Sequence, residues 1–270
     1  MHVVVCVKQV PDTANVRINP ETNTLMREGV ESIVNPFDEY ALEQGLMLKD
    51  RHGAKLTVVS MGPPQAAAVL RESLARGADE AVLVSSRAFG GADTLATSYT
   101  LAQAIKKACD GKTPDLVLFG KQAIDGDTAQ VGPGVSEFLG VPLVTYVRKI
   151  DVAILDEGMK FAVESVMDDG VATIEGSLPA VMTVLKESDA PRFALLAGAI
   201  RAAKADVAVL DEKAIEANPS DIGLKGSPTK VVTIFPPPIK GGGEKIVSSA
   251  QDAAKAIVAF LEKKGWAKNG

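Results

Sequence analysis

The chain has 270 residues, 46% of them hydrophobic, and a formal net charge of -5, enough to bury a core as one large domain or as one domain with an appendage. Its lysines and arginines are dispersed, which leaves no electrostatic footprint for nucleic acid or for an anionic membrane. The first apolar run, His2 to Val7, is broken by Lys8 and lacks a basic start; it is too short for a signal sequence or a membrane span, and a cytoplasmic location is expected.

Along the chain, short β-branched runs at Val3 to Val7, Leu56 to Ser60, Ala81 to Val84 and Leu116 to Phe119 alternate with helical patterns. That alternation predicts an α/β fold with an open, mainly parallel sheet and helices on both faces. The first helix starts after Asn35, a candidate N-cap, with Pro36 at its first position and Asp38 and Glu39 at its positive end, and stops near Gly53. The second opens at Pro63-Pro64, buries Ala66, Val69, Leu70 and Leu74, and stops at Gly77. The third starts near Asp93 with Leu95, Tyr99 and Ala102 on one face, and a fourth follows with Val131, Val135, Phe138 and Leu139 at helical spacing. From Pro142 to Leu185, alternating runs surround two hairpin signals, Asp156-Glu157-Gly158 and Asp168-Asp169-Gly170, and predict an antiparallel extension of the sheet. Residues 226 to 246 are rich in Pro and Gly and read as an extended linker. An amphipathic helix over 248 to 263 carries Ala250, Ala253, Ala254, Ile257, Val258 and Leu261 on one stripe, and Trp266 lies beyond it in a polar tail where disorder is expected. The expected division is an α/β domain over 1–204 and a linker with a C-terminal arm over 205–270.

The βα order brings four loops to one sheet edge: Lys8 to Asp12, Ser60 to Pro64, Ser85 to Asp93 and Gly120 to Gln130. Open parallel sheets bind ligands at that edge. In "GKQAIDGDTAQVGPG", residues 120 to 134, Gly126 removes a side chain where backbone could approach a ligand, and Thr128 and the helix start offer donors suited to a phosphate. Asp125 and Asp127 oppose a simple anion hole unless they point at a hydroxyl, cap the helix or turn outward. No G-x-x-x-x-G-K-[ST] is present and no G-x-G-x-x-G follows the first strand. His2 and His52 have no metal-binding companions, no serine sits in a G-x-S-x-G elbow, and Cys6 and Cys109 make neither a metal spacing nor a disulfide framework. Redox chemistry here would therefore belong to a cofactor.

"CVKQVPDT" (6–13), "VNPFDEYALE" (34–43), "SMGPPQA" (60–66), "RGADEAVLV" (76–84), "GKQAIDGDTAQVGP" (120–133) and "LPAVMTVLKESDAPRFALL" (178–196) resemble the small, beta, subunit of electron-transfer flavoproteins, in order and over nearly the whole chain. The resemblance implies an adenine-nucleotide alpha-hydrolase-like fold and pairing with an alpha subunit that holds an FAD. It places nucleotide contacts at Cys6, Val7 and Lys8, at Asn35, Pro36, Phe37 and Asp38, and at Met61 and Gly62. Further contacts fall at Gly120, Lys121, Gln122, Ala123, Ile124, Asp125, Gly126, Asp127, Thr128, Ala129, Gln130 and Val131.

In the common form of the family the small subunit binds AMP; in the electron-bifurcating branch a second FAD replaces it. "IDGDTAQVGP" and "RAFGGADTLATS" (87–98) resemble that branch, and add Gly90, Gly91, Asp93, Thr94 and Thr97 to the implied contacts. Glycines there let backbone approach a flavin, and Asp93 or Thr94 also suits a helix cap. The branch implies hydride transfer from NADH, one electron passing to ferredoxin or flavodoxin and the other, through the alpha-subunit FAD, to an acyl-CoA or other flavin dehydrogenase. "PRFALLAGAIRAAKA" (191–205) matches the family's dehydrogenase-recognition segment, with Arg192, Leu195 and Leu196 as partner residues, although "AGAI" replaces a proline-containing turn. Leu195 and Leu196 could equally pack inward, and the C-terminal arm would clasp the alpha subunit. An AMP-sensing module without flavin is the competing class.

Overall fold

The computed structural model describes residues 1–12, 17–18, 25–26, 32–155, 158–232 and 245–266. The chain forms two compact units, Met1–Val232 and Thr233–Gly270. Their boundary falls after the expected residue 204, because residues 208–210 add a strand to the main sheet.

In chain order the first unit begins with β1 (His2–Cys6), the short strands β2 (Gln9–Pro11), β3 (Arg17–Ile18), β4 (Leu25–Met26) and β5 (Ser32–Val34), then α1 (Pro36–His52) and β6 (Lys55–Met61). It continues through α2 (Ala67–Arg76), β7 (Glu80–Val84), α3 (Thr94–Ala108), β8 (Leu116–Gly120) and α4 (Val131–Leu139). Three long strands follow, β9 (Leu143–Leu155), β10 (Gly158–Met167) and β11 (Gly170–Ser177), then β12 (Ala180–Val184), α5 (Leu196–Lys204) and β13 (Ala208–Leu210). In the second unit α6 (Ala250–Lys263) is capped by Ser249, and Trp266 packs edge-on against Phe260 with ring centres 6.4 Å apart. The expected linker over 226 to 246 lies partly outside the described residues, as does the turn at Asp156-Glu157.

The main sheet runs β11-β10-β9-β12-β8-β1-β6-β7-β13. The five strands β12 to β7 are parallel, and β13 extends them in parallel beside β7. β9 to β11 form the expected antiparallel extension. β12, within the segment read as part of that extension, is instead a central parallel strand buried along its whole length. Its run of Ala, Val, Met, Thr and Val lacks the alternation of a half-exposed strand, which is the mark of a strand covered on both faces.

Alternation along β1 divides the core. Val3, Val5 and Val7 face α1 and α2, while Val4 and Cys6 face α3 and α4. α1 ends where expected, at Gly53 with φ 65°, and α2 stops at Gly77. Of the α3 stripe Leu95, Tyr99 and Ala102, Ala102 is buried and Tyr99 packs on the core, while Leu95 is 49% exposed and Ser98 is buried beside the neighbouring helix. That helix is α4, where a Cβ at Gly134 would lie 2.4 Å from Ser98 Oγ, so the facing residue must be small.

From β1 the chain steps through α1 and α2 to β6 and β7 on one side, then crosses back through α3 to β8 on the other side of β1. Order reverses between β1 and β8, and it is beyond the strand ends at such a switch point that open parallel sheets form their ligand crevice. One glycine is fixed by this geometry: a Cβ at Gly120 would sit 2.4 Å from Asp38 Oδ1 and 2.6 Å from Phe37 C. Gly120→Ala should lower stability by roughly 1–3 kcal/mol, the usual cost of overpacking, read as a fall in thermal midpoint of the assembled protein. An unchanged midpoint would mean that α1 can move away from β8.

Candidate functional site

At the crevice the N-terminus of α1 meets the ends of β1 and β8. Asp38, in the first turn, is buried, and its carboxylate accepts the Lys8 N–H at 2.7 Å and the Gly120 N–H at 3.2 Å. Burial pushes its pKa up to about 7, against the pull of hydrogen bonds from Asn35, Lys8 and Gly120 and of the Lys8 charge. Asn35 occupies the N-cap position but makes no capping bond. Instead its Nδ2 donates to Gln122 O at 2.9 Å, its Oδ1 accepts the Ile124 N–H at 3.1 Å, and its own N–H donates to Lys8 O at 2.8 Å. One buried amide therefore ties the loop after β8 to the loop after β1.

The aspartates flanking Gly126 have separate duties. Asp125 accepts the Lys8 ammonium through both oxygens at 2.8 Å, so its charge is paired across the crevice. Asp127 accepts from the Gln122 side chain, and its N–H donates to Ala123 O at 2.9 Å. Asp127 and Ala129 have φ of 54° and 53°, while Gly126 and Thr128 lie outside the positive-φ set. Alternating φ sign over successive residues turns neighbouring backbone N–H groups toward one side, the basis of anion-binding nests. A Cβ at Gly126 would meet nothing within 4 Å. The crown of the loop thus faces open space, and nothing within the chain demands a glycine there.

The other expected site residues fall as follows. Val7 and Cys6 are buried, and the Cys6 thiol points into the core on the α3 and α4 side, so only their backbones can line the crevice. Met61 and Gly62 end β6, with the Gly62 N–H bonded to Val84 O at 3.1 Å. Thr94 Oγ1 donates to Gln130 Oε1 at 3.0 Å, which draws the start of α3 to the end of the long loop. Asp93 caps α3 through the N–H groups of Leu95 and Ala96, and its other oxygen accepts from Thr229. Gly91 has a reason other than ligand approach: φ is 72° and a Cβ would lie 2.6 Å from Leu224 Cγ. Gly90 is exposed, and Thr97 follows one turn into α3.

Arg192, expected as a partner contact, pairs its guanidinium with Glu43 and Asp50, and its side chain stays 34% exposed. Leu195 and Leu196 face outward, 77% and 79% exposed. Sequence reasoning missed Tyr146, which has φ 55° at a bulge in β9 and lies under the Lys121 ammonium at 5.4 Å. No glycine or turn signal marks that bulge; Thr183 accepts the Tyr146 N–H and Ser165 donates to Thr145 O. Among the described residues no cluster of His, Cys, Asp and Glu could hold a metal ion, and no helix is long and apolar enough to cross a membrane.

A mainly parallel sheet with a switch point between β1 and β8, and the loop after β8 tied to the loops after β1 and β7, makes this an open α/β protein of the class that binds ligands at that edge. Residues 22–215 match the family model described as "Electron transfer flavoprotein domain", and the chain belongs to that family. Its relatives place it among the beta subunits. It is 48% identical to the electron transfer flavoprotein subunit beta of Clostridium acetobutylicum, covering 98% of this chain and 100% of the relative. It is 48% identical to the caffeyl-CoA reductase-Etf complex subunit CarD of Acetobacterium woodii, covering 98% and 99%. It is 47% identical to protein FixA of Azotobacter vinelandii, covering 97% and 94%.

Asp38 makes stability depend on pH. Its folded value of about 7 lies above the unfolded value near 3.8, so the folded chain keeps a proton that the unfolded chain loses between those limits. This contribution therefore declines as pH rises from about 4 to about 7 and is level above that. Urea unfolding of the assembled protein and of Asp38→Asn across that window should show the parent losing ground to the variant as pH rises. A constant difference would remove the buried titration.

Proposed function

We propose that this chain is the beta subunit of an electron-bifurcating flavoprotein and holds FAD in the switch-point crevice. The observation that carries the reading is the loop over 121–130, preassembled by Asn35, Lys8 and Thr94 and opening outward at Gly126. The donor set fits a dinucleotide. The N–H groups around Gly126 to Ala129 suit a diphosphate, and pairing Asp125 with Lys8 removes the repulsion that a free carboxylate would exert on it. The tie from Thr94 to Gln130 brings the third loop alongside the fourth, which supports a ligand that contacts both.

A flavin held by the loops after β1, β6, β7 and β8 would supply the redox chemistry, hydride acceptance from NADH and one-electron transfer toward ferredoxin or flavodoxin and toward a flavin dehydrogenase by way of the alpha subunit. The protein's own part is to orient. Asp38 and Asn35 hold the strand ends and the loop after β8, and the Lys8 ammonium neutralises Asp125. A relative named for a caffeyl-CoA reductase-Etf complex supports a CoA-ester dehydrogenase as the electron acceptor. Residues 195 and 196 expose leucines on the segment that would meet it.

Nucleotide released by denaturing the purified heterodimer tests the proposal directly. Two FAD and no AMP per heterodimer is the expected result; one FAD with one AMP would make the chain a conventional carrier subunit without NADH oxidation. Gly126→Val supplies the local test. It should leave the unfolding free energy of the nucleotide-free protein within about 0.5 kcal/mol, as for an open surface position, while lowering flavin retention. Undiminished flavin in that variant would move the diphosphate elsewhere.

A further inference from the structure

Between β12 and α5 the chain crosses α1 and is fastened to it at three places. The Lys186 ammonium lies 4.6 Å from the Phe37 ring centre, and Gln44 Nε2 donates to Asp189 Oδ2 at 3.0 Å. Arg192 then wraps Glu43: its backbone N–H donates to Oε2 at 2.9 Å, its Nε reaches both carboxylate oxygens at 3.0 Å, and its Nη2 reaches Oε1 at 2.8 Å. Its Nη1 pairs with Asp50 at 2.8 Å. The Glu43 side chain is only 7% exposed, so this is a bidentate pair with one member desolvated, stronger and more directional than a surface ion pair.

The downstream end is fastened to α2. A Cβ at Gly198 would lie 2.1 Å from Ala75 O, and Arg201 Nη2 donates to Leu74 O at 2.9 Å. Between these fastenings Phe193 is 91% exposed, with Leu195 and Leu196 beside it. An apolar triplet on an untethered loop would fold back onto the neighbouring core. Here both ends are pinned, and the side chains stand in water.

We propose that the Arg192, Glu43 and Asp50 cluster is a positioning clamp that presents Phe193, Leu195 and Leu196 as a preformed apolar anchor for the dehydrogenase. This rests on the reading of that segment as the docking surface. The arginine acts through its neighbours, and Phe193 joins the two leucines as a contact. Segments ordered before encounter lose less conformational entropy on binding, and a few central apolar side chains dominate such interfaces.

The experiment uses the assembled heterodimer and an acyl-CoA dehydrogenase as acceptor. Glu43→Gln should raise the dehydrogenase's KM for the reduced carrier about tenfold, the scale of one modest interface residue, with kcat, flavin content and NADH oxidation unchanged. Hydrogen exchange at the amides of 193–197 should accelerate. Arg192→Lys, which keeps the charge and loses the fork, should give the same split, and it answers the question if Glu43→Gln fails to fold. Leu196→Ala should also raise KM, and adding Glu43→Gln to it should then have little further effect. If Leu196→Ala raises KM while both clamp variants leave KM and exchange unaltered, the clamp is overturned and the docking surface stands. If alanine at 193, 195 and 196 leaves KM unchanged, the docking reading falls and the clamp with it.

Discussion

The site depends on one buried carboxylate. Asp38 sits where β1, β8 and the start of α1 converge, and it accepts one N–H from each strand end. A charge in such a place is costly; the helix N-terminus and the two amides offset only part of that cost, and burial still holds the Asp38 pKa up at about 7. Everything above it is arranged in sequence. Lys8, oriented by its backbone bond to Asp38, presents its carbonyl to Asn35, and Asn35 grips the loop after β8 by two groups. Gly120 must be glycine because Asp38 occupies the space of its side chain. Loosening this carboxylate would release both walls of the crevice together.

The pairing of two aspartates around a glycine resolves into separate electrostatic and conformational duties. Asp125 belongs to the charge balance of the crevice, since its partner Lys8 comes from the opposite wall. Asp127 belongs to the shape of the loop. Its short polar side chain tolerates the left-handed backbone that bulkier residues resist. Gly126, between them, is demanded by neither, which leaves the space above it as the reason a side chain is missing there.

The parallel half of the fold was legible because its strands are continuous apolar runs and its helices carry proline, acidic and glycine punctuation: α1 and α2 end at the expected glycines. The convergence of the four loops followed from topology alone. Asn35 was legible as a helix start but not as a loop tether, because its side chain reaches across 87 residues and no local pattern encodes the partner. The same limit hid Asp38, whose position in a first turn is common and whose burial is set by β8. On α3 only Leu95 misled: Ser98 takes the close contact with Gly134 of α4, where a larger side chain has no room. The pairing of Arg192 with Glu43 and Asp50 was not legible, because the carboxylates lie far upstream on α1, Glu43 by 149 residues.

α1 joins what the sequence presents as unrelated segments. It is a helix of 17 residues, about 25 Å long, with Asp38 in its first turn and Glu43, Gln44 and Asp50 along the side that receives the chain between β12 and α5. Its first turn builds the crevice and its later turns hold the exposed apolar triplet. A packed helix of that length moves as a unit, because its Leu42, Leu46 and Leu48 are locked into the core beneath. The separation between crevice and anchor is therefore a property of one rigid rod. In the proposed reading, α1 thereby fixes the separation between the flavin crevice and the docking anchor.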